Sequence, residues 1–214
     1  MPVARKTIAE LRGDLAKRFP TASRPVGRTL RTGIPALDDA TGGLPVAALT
    51  ELVCTAPSTG SHLLLAQLLA VTRREQLRVA LVDSHDSFDP SSYPEDDLAH
   101  LIWVRCTSTA VALQAADLLV RDANLGLVFL DLRRAPESDL RRIPGPQWYR
   151  FQRAVEPATL ALVVATPRAS VPSAQVRYVL SASHPAGTLS RDRPALCAQL
   201  APVLQRQRLQ AGVG

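Results

Sequence analysis

Between Glu51 and Leu65 the chain reads E-L-V-C-T-A-P-S-T-G-S-H-L-L-L: an apolar strand, a turn of small residues and an apolar helix. Backbone N–H groups cradle phosphate in such a setting, and a working turn there reads G-x-x-x-x-G-K-[ST]. The lysine neutralises the terminal phosphates and the hydroxyl holds magnesium. Aligned on Gly60, Thr55 replaces the first glycine, Ser61 the lysine and His62 the hydroxyl residue. The frame for phosphate binding is kept while the groups that grip phosphate are mostly gone, so these four residues outline a vestigial nucleotide-binding turn. Two apolar runs end in carboxylates nearby: Leu127–Leu130 leads into Asp131, and Val79–Val82 into Asp83-Ser84-His85-Asp86. His62 and His85 would need Asp131 or Asp86 as a third partner to hold a metal. Relaxed constraint is the simpler reading of both histidines, and no metal is expected.

Basic residues suggest a second kind of chemistry. Arg133-Arg134, Arg141-Arg142 and Arg168 could contact nucleic-acid phosphates in a salt-sensitive, sequence-independent way. Glu137 and Asp139 dilute that patch, and a solvated loop is the competing reading. Trp148, Tyr149 and Phe151 follow at once; adjacent aromatics can stack single-stranded bases. At helical spacing, however, Trp148, Phe151 and Val155 share a face, which predicts core and leaves Tyr149 open. Near the N-terminus, Phe19-Pro-Thr-Ala22 resembles the F-x-T-A peptide that links recombinase subunits of the eukaryotic and archaeal kind, which implies a phenylalanine and a small alanine filling two apolar pockets of a neighbour. The same phenylalanine serves equally to close the apolar face of Ile8, Leu11 and Leu15 onto its own core, and that reading is preferred. An amphipathic helix over residues 6–18 before a proline-bounded linker is still suited to a neighbour's groove, which makes Leu11, Leu15, Phe19 and Ala22 the candidate partner-binding residues.

The elements that must position these groups are short apolar strands alternating with helices. Strands are expected at Leu49–Val53, Val79–Val82, Ile102–Arg105, Leu127–Leu130, Leu160–Ala165 and Val176–Ser181. Helices are expected at Ile34–Ala40, Ser61–Glu75, Ser108–Arg121, Gln147–Val155 and Pro194–Gln205. This alternation predicts an α/β fold, a mostly parallel sheet covered on both faces. The boundaries expected are an N-terminal helix and basic arm over 1–31, a core over 32–183, and a C-terminal helix and tail over 184–214, frayed from Leu209. A chain of 214 residues suffices for one good core. Its apolar runs fall far short of a membrane span, and no signal peptide is evident. Three widely spaced cysteines suit a reducing compartment rather than a disulfide framework. Residues 1–31 carry eight basic and two acidic side chains, residues 32–131 five and thirteen, and residues 132–214 twelve and four. An acidic middle between basic ends suits nucleic acid or an acidic partner, or internal neutralisation within the fold.

Taken in order, several segments resemble the RecA-type recombinase core. They are Thr32-Gly-Ile-Pro-Ala-Leu-Asp38, Gly42-Gly-Leu-Pro45, Leu49-Thr-Glu-Leu52, Val79-Ala-Leu-Val-Asp83 with Phe88-Asp-Pro90, and Leu113-Gln-Ala-Ala-Asp117 followed by Leu127-Val-Phe-Leu-Asp131. The resemblance spans residues 32–181 and implies a RecA-like P-loop NTPase fold, a mostly parallel twisted sheet with a degenerate Walker A turn. It places His85 where the active recombinases carry a catalytic glutamate, with Asp86 one position away, and Asp131 as the Walker B carboxylate. Thr166-Pro-Arg168 stands where that family senses the terminal phosphate with glutamine. The family's two DNA-binding loops would follow Asp131 and Thr166. A short core with these losses is most similar to the ImuA/SulA branch. Membership there implies no catalysis and no cofactor, ATP included, in a cytoplasmic, nucleoid-associated bacterial protein of the SOS response and DNA repair. It would support error-prone translesion synthesis through contacts with RecA recombinase and a Y-family-like polymerase homologue, with single-stranded DNA and self-association through the arm as further partners. The alternatives are a SulA-like inhibitor of the cell-division tubulin and a residual nucleotide-binding ATPase.

Overall fold

Strands that are apolar on both faces can only lie inside a sheet covered on both sides, and they dictate the centre of this molecule. The computed structural model describes residues 24, 25 and 27–210. In chain order the elements are β1 (Thr29–Leu30), α1 (Pro35–Thr41), β2 (Leu44–Pro45), β3 (Ala48–Cys54), α2 (Ser61–Arg74), β4 (Arg78–Asp83), α3 (Glu95–Leu98) and β5 (Leu101–Arg105). They continue with α4 (Thr109–Leu119), β6 (Leu125–Asp131), α5 (Glu137–Arg142), α6 (Gly145–Val155), β7 (Ala161–Thr166), β8 (Val176–Leu180), α7 (Arg193–Ala198) and β9 (Val203–Gln207). The central sheet has 7 strands in the order β9-β8-β3-β7-β6-β4-β5. Every pairing is parallel except β9 with β8.

Side-chain alternation splits the core into two layers. From β6 and β7, Leu127, Phe129 and Val163 join one layer with α2, while Val128, Leu130 and Val164 join the other with α4 and α6. In α2, Leu64, Leu65, Leu68 and Leu69 are each at most 2% exposed. Burial of each contributes about 1.5–3 kcal/mol relative to exposure. In α6, Trp148, Phe151 and Val155 are buried, as their helical spacing predicts, and Tyr149 is 49% exposed.

The approach to β3 is fixed by local bonds. Asp38 accepts from the Thr32 backbone N–H and hydroxyl at 2.8 Å and from the Gly33 N–H at 2.9 Å. Gly43, at φ 116°, lets the β1–β2 pair close, because a Cβ there would sit 2.3 Å from the Leu30 carbonyl oxygen. The core therefore begins before Thr32.

The far end corrects the expected boundaries more strongly. The helix expected over Pro194–Gln205 stops at Ala198, and Val203–Gln207 is a strand. Pro202 removes a helical donor, and the sequence after it alternates in exposure with period two. Residues 184–207 thus close onto the core instead of trailing from it, and Leu209–Gln210, expected to fray, pairs in parallel with Arg24–Pro25. No helix among the described residues is long and apolar enough to cross a membrane.

Candidate functional site

The turn after β3 and the ends of β4 and β6 meet at one edge of the sheet, since parallel strands all present their C-terminal ends there. Ligands of open α/β sheets bind at this edge. Thr55 donates both its N–H and its hydroxyl to the Leu180 carbonyl, each at 3.2 Å. Gly60 adopts φ +85° and passes the chain into α2. A Cβ at Gly60 would lie 2.2 Å from Leu200 Cδ2 and 3.1 Å from His184 Nε2. The backbone N–H of His184 donates to the Ser58 carbonyl at 2.8 Å. The C-terminal segment therefore lies across the turn, a covering no single motif announced.

Beneath that cover sits a guanidinium. Asp131 Oδ1 accepts from the Arg133 backbone N–H at 3.0 Å and from its Nε at 2.9 Å, and Oδ2 accepts from Nη2. Arg133 Nη1 also donates to Ser61 Oγ at the start of α2. The two charged side chains are 12% and 4% exposed. Burial works against the Arg133 charge, but the hydrogen bond and charge of Asp131 outweigh it and hold its pKa above the ordinary value. Arg133 thus bridges the strand-end carboxylate, which helps to hold magnesium in a working phosphate-binding turn, and Ser61, which stands at that turn's lysine position.

Neighbouring groups are tuned by the same burial. The Cys54 thiol is pushed up to about 11, chiefly by desolvation, with Arg133 opposing. His62 is held below its usual pKa by burial and then by the Arg133 charge. Its Nδ1 lies 3.5 Å from the Tyr93 hydroxyl. Burial lifts that phenol to about 12.

The remaining acids near the edge are committed to structure. Asp83 accepts from the Phe88 N–H at 2.7 Å and the Ser87 hydroxyl at 3.3 Å. His85 meets the Ser84 hydroxyl through Nδ1 at 2.7 Å. Asp86, the shifted base considered from sequence, faces outward in a two-pronged pair with Arg105 at 2.7 and 2.6 Å. Among the described residues, no three His, Cys, Asp or Glu side chains converge to hold a metal ion.

The arginines expected to contact DNA differ in their surroundings. Arg133 points inward to Asp131, which removes it from the surface. Arg141 and Arg168 both pair with Glu137. Arg134 and Arg142 are exposed. The stretch after Thr166, where the resemblance puts the second DNA-binding loop, is pinned to the sheet. Glu51, fully buried, accepts from the Thr166 hydroxyl at 3.0 Å, the Ser170 N–H at 2.6 Å, the Val171 N–H at 3.0 Å and Arg177 Nε at 2.5 Å. Sequence reasoning missed this cluster, although a lone acid and a lone base inside two apolar strands were its signal. The arm residues Leu11, Leu15, Phe19 and Ala22 lie outside the described residues.

Compared with known proteins, the chain matches no protein-family model and no curated protein. The fold is α/β, with helices on both faces of a mostly parallel sheet, compatible with Rossmann-like and P-loop-like architectures.

Proposed function

We propose that this chain is a RecA-like protein with a degenerate nucleotide site, which works by binding other proteins instead of hydrolysing ATP. One observation carries the reading: Arg133 bridges Asp131 and Ser61 Oγ across the mouth of the turn. In a working site a lysine and a magnesium ion supply positive charge there for the phosphates. Here the protein supplies the charge from its own chain, and magnesium–ATP would have to break a nearly buried ion pair to enter. His85 at its ordered turn and Asp86 spent on Arg105 leave the position of a water-activating base without a free carboxylate.

A chain that keeps this scaffold without its chemistry suits an accessory role. With the resemblance to the ImuA/SulA branch, the reading is a factor of the DNA-damage response that supports error-prone translesion synthesis by contacting RecA recombinase and a Y-family-like polymerase homologue. The test is calorimetric titration with magnesium–ATP, run beside co-elution of the full chain with its host's recombinase, polymerase homologue and division tubulin. No heat with nucleotide and co-elution with the recombinase or polymerase is the expected result. Magnesium-dependent ATP binding that Asp131→Ala abolishes would replace this reading with a nucleotide sensor. Co-elution with the division tubulin alone would replace it with a division inhibitor.

A further inference from the structure

A cleft of about 520 Å³ opens between the end of α4 and the outer face of α6, on a different part of the molecule from the Arg133 site. Its walls are Arg121, Pro146, Tyr149, Arg150, Arg153 and Ala154. Pro146, Tyr149, Arg150 and Arg153 recur at i, i+3, i+4 and i+7, so they form one stripe along the helix. The opposite stripe, Trp148, Phe151 and Val155, is buried in the core. The cleft is thus built on a rigid element whose rotation is fixed by its buried face.

Two of the three guanidiniums here share one carboxylate. Asp117 of α4 takes Arg150 on both oxygens and Arg121 at 3.4 Å. The other acids close by in sequence are engaged elsewhere, Asp122 with Asn124 and Glu156 with Gln152. Arg153 is exposed, and the side chains of Arg121 and Arg150 are 53% and 57% exposed. Tyr149 stands half exposed among them.

We infer that this cleft binds single-stranded nucleic acid, with Arg121, Arg150 and Arg153 on successive phosphates and Tyr149 stacked under a base. Planar guanidiniums grip phosphate oxygens in pairs, and an exposed aromatic among them accepts a base of any identity. An acidic peptide would use the arginines but leave the tyrosine face idle. The inference does not depend on the Arg133 site or on the identity of any protein partner.

The test is fluorescence anisotropy of a labelled oligo-dT with the full chain across a salt series. Three phosphate contacts predict that log K falls with log salt at a slope of about −2. Tyr149→Ala should weaken binding roughly 5- to 150-fold, the range found for loss of one stacked base. Arg121→Ala/Arg153→Ala should weaken it and flatten the salt slope. All these residues are exposed, and circular dichroism would verify that the variants stay folded. Four results would overturn the inference: no binding, equal binding of duplex DNA or polyglutamate, full binding by Tyr149→Ala, or loss only with Arg134→Ala/Arg142→Ala.

Discussion

Replacing Arg177 by methionine removes the guanidinium that pairs with Glu51. The two side chains are 10% and 0% exposed, so the carboxylate would stay in the protein interior with only the Thr166 hydroxyl and the Ser170 and Val171 N–H groups to satisfy it. The Val171 carbonyl would also lose its bond from Arg177 Nη2. Breaking a buried pair from one side costs about 3–5 kcal/mol. Against a total stability on the order of 5–15 kcal/mol this is a large fraction. For a chain of this size it corresponds to a fall in Tm of about 6–20 °C. Glu51→Gln should cost a similar amount, because it strands the guanidinium instead. The double variant Glu51→Gln/Arg177→Met should be no worse than either single one, since neither charge is then left alone and the glutamine oxygen still accepts from the loop. Urea unfolding of all four proteins, followed by circular dichroism, measures the cycle. A cost below about 1 kcal/mol for Arg177→Met, or costs that simply add in the double variant, would refute the assignment of this pair as a coupled anchor.

Arg133→Ala should lower stability by about 3 kcal/mol in the same urea assay, the bottom of the buried-pair range because Arg133 keeps some exposure. Gly60→Ala should cost about 1–2 kcal/mol from its left-handed backbone plus the clash of the new methyl with Leu200, and a Leu200→Ala background should relieve the clash but not the backbone cost. His62 and His100 are both held below the ordinary value of 6.5, first by burial. The unfolded chain therefore takes up their protons first, so stability should be intact above about pH 6.5 and decline as pH falls below it. Denaturant midpoints between pH 5 and 7.5 would show this, and His62→Gln/His100→Gln should flatten the slope. With Cys54 pushed up to about 11 and all three cysteines buried, thiol labelling at pH 8 should be slow in the native chain and complete on unfolding.

The strands were legible because each is a short apolar run with nothing else to do. Leu49–Val53 and Leu127–Leu130 extend by only one or two residues at each end in the structure. The stripe of Trp148, Phe151 and Val155 was legible for the same reason. What escaped was everything decided by contacts distant in sequence. The helix expected over Pro194–Gln205 overruns into the strand Val203–Gln207 because a run of polar and apolar residues fits either period until a partner strand is known; Pro202 is the local signal against it. Arg133 was assigned to a DNA-binding surface because its charge is visible in sequence and its direction is not. Alternate residues of an extended chain point the same way, so an arginine two places after Asp131 was a legible sign of the pair. The link from Arg133 to Ser61 was not legible, since it joins residues 72 positions apart.

The four donors that converge on Glu51 bear on how this molecule can be controlled. Ligand-driven switching needs an element with two arrangements of similar free energy, and the ligand must favour one of them. The stretch after β7 is held to the middle of the sheet by an acid that would be left destitute in any other position. A ligand arriving at the strand ends would have to break those four bonds to move this stretch, so this part of the molecule is built to stay in place.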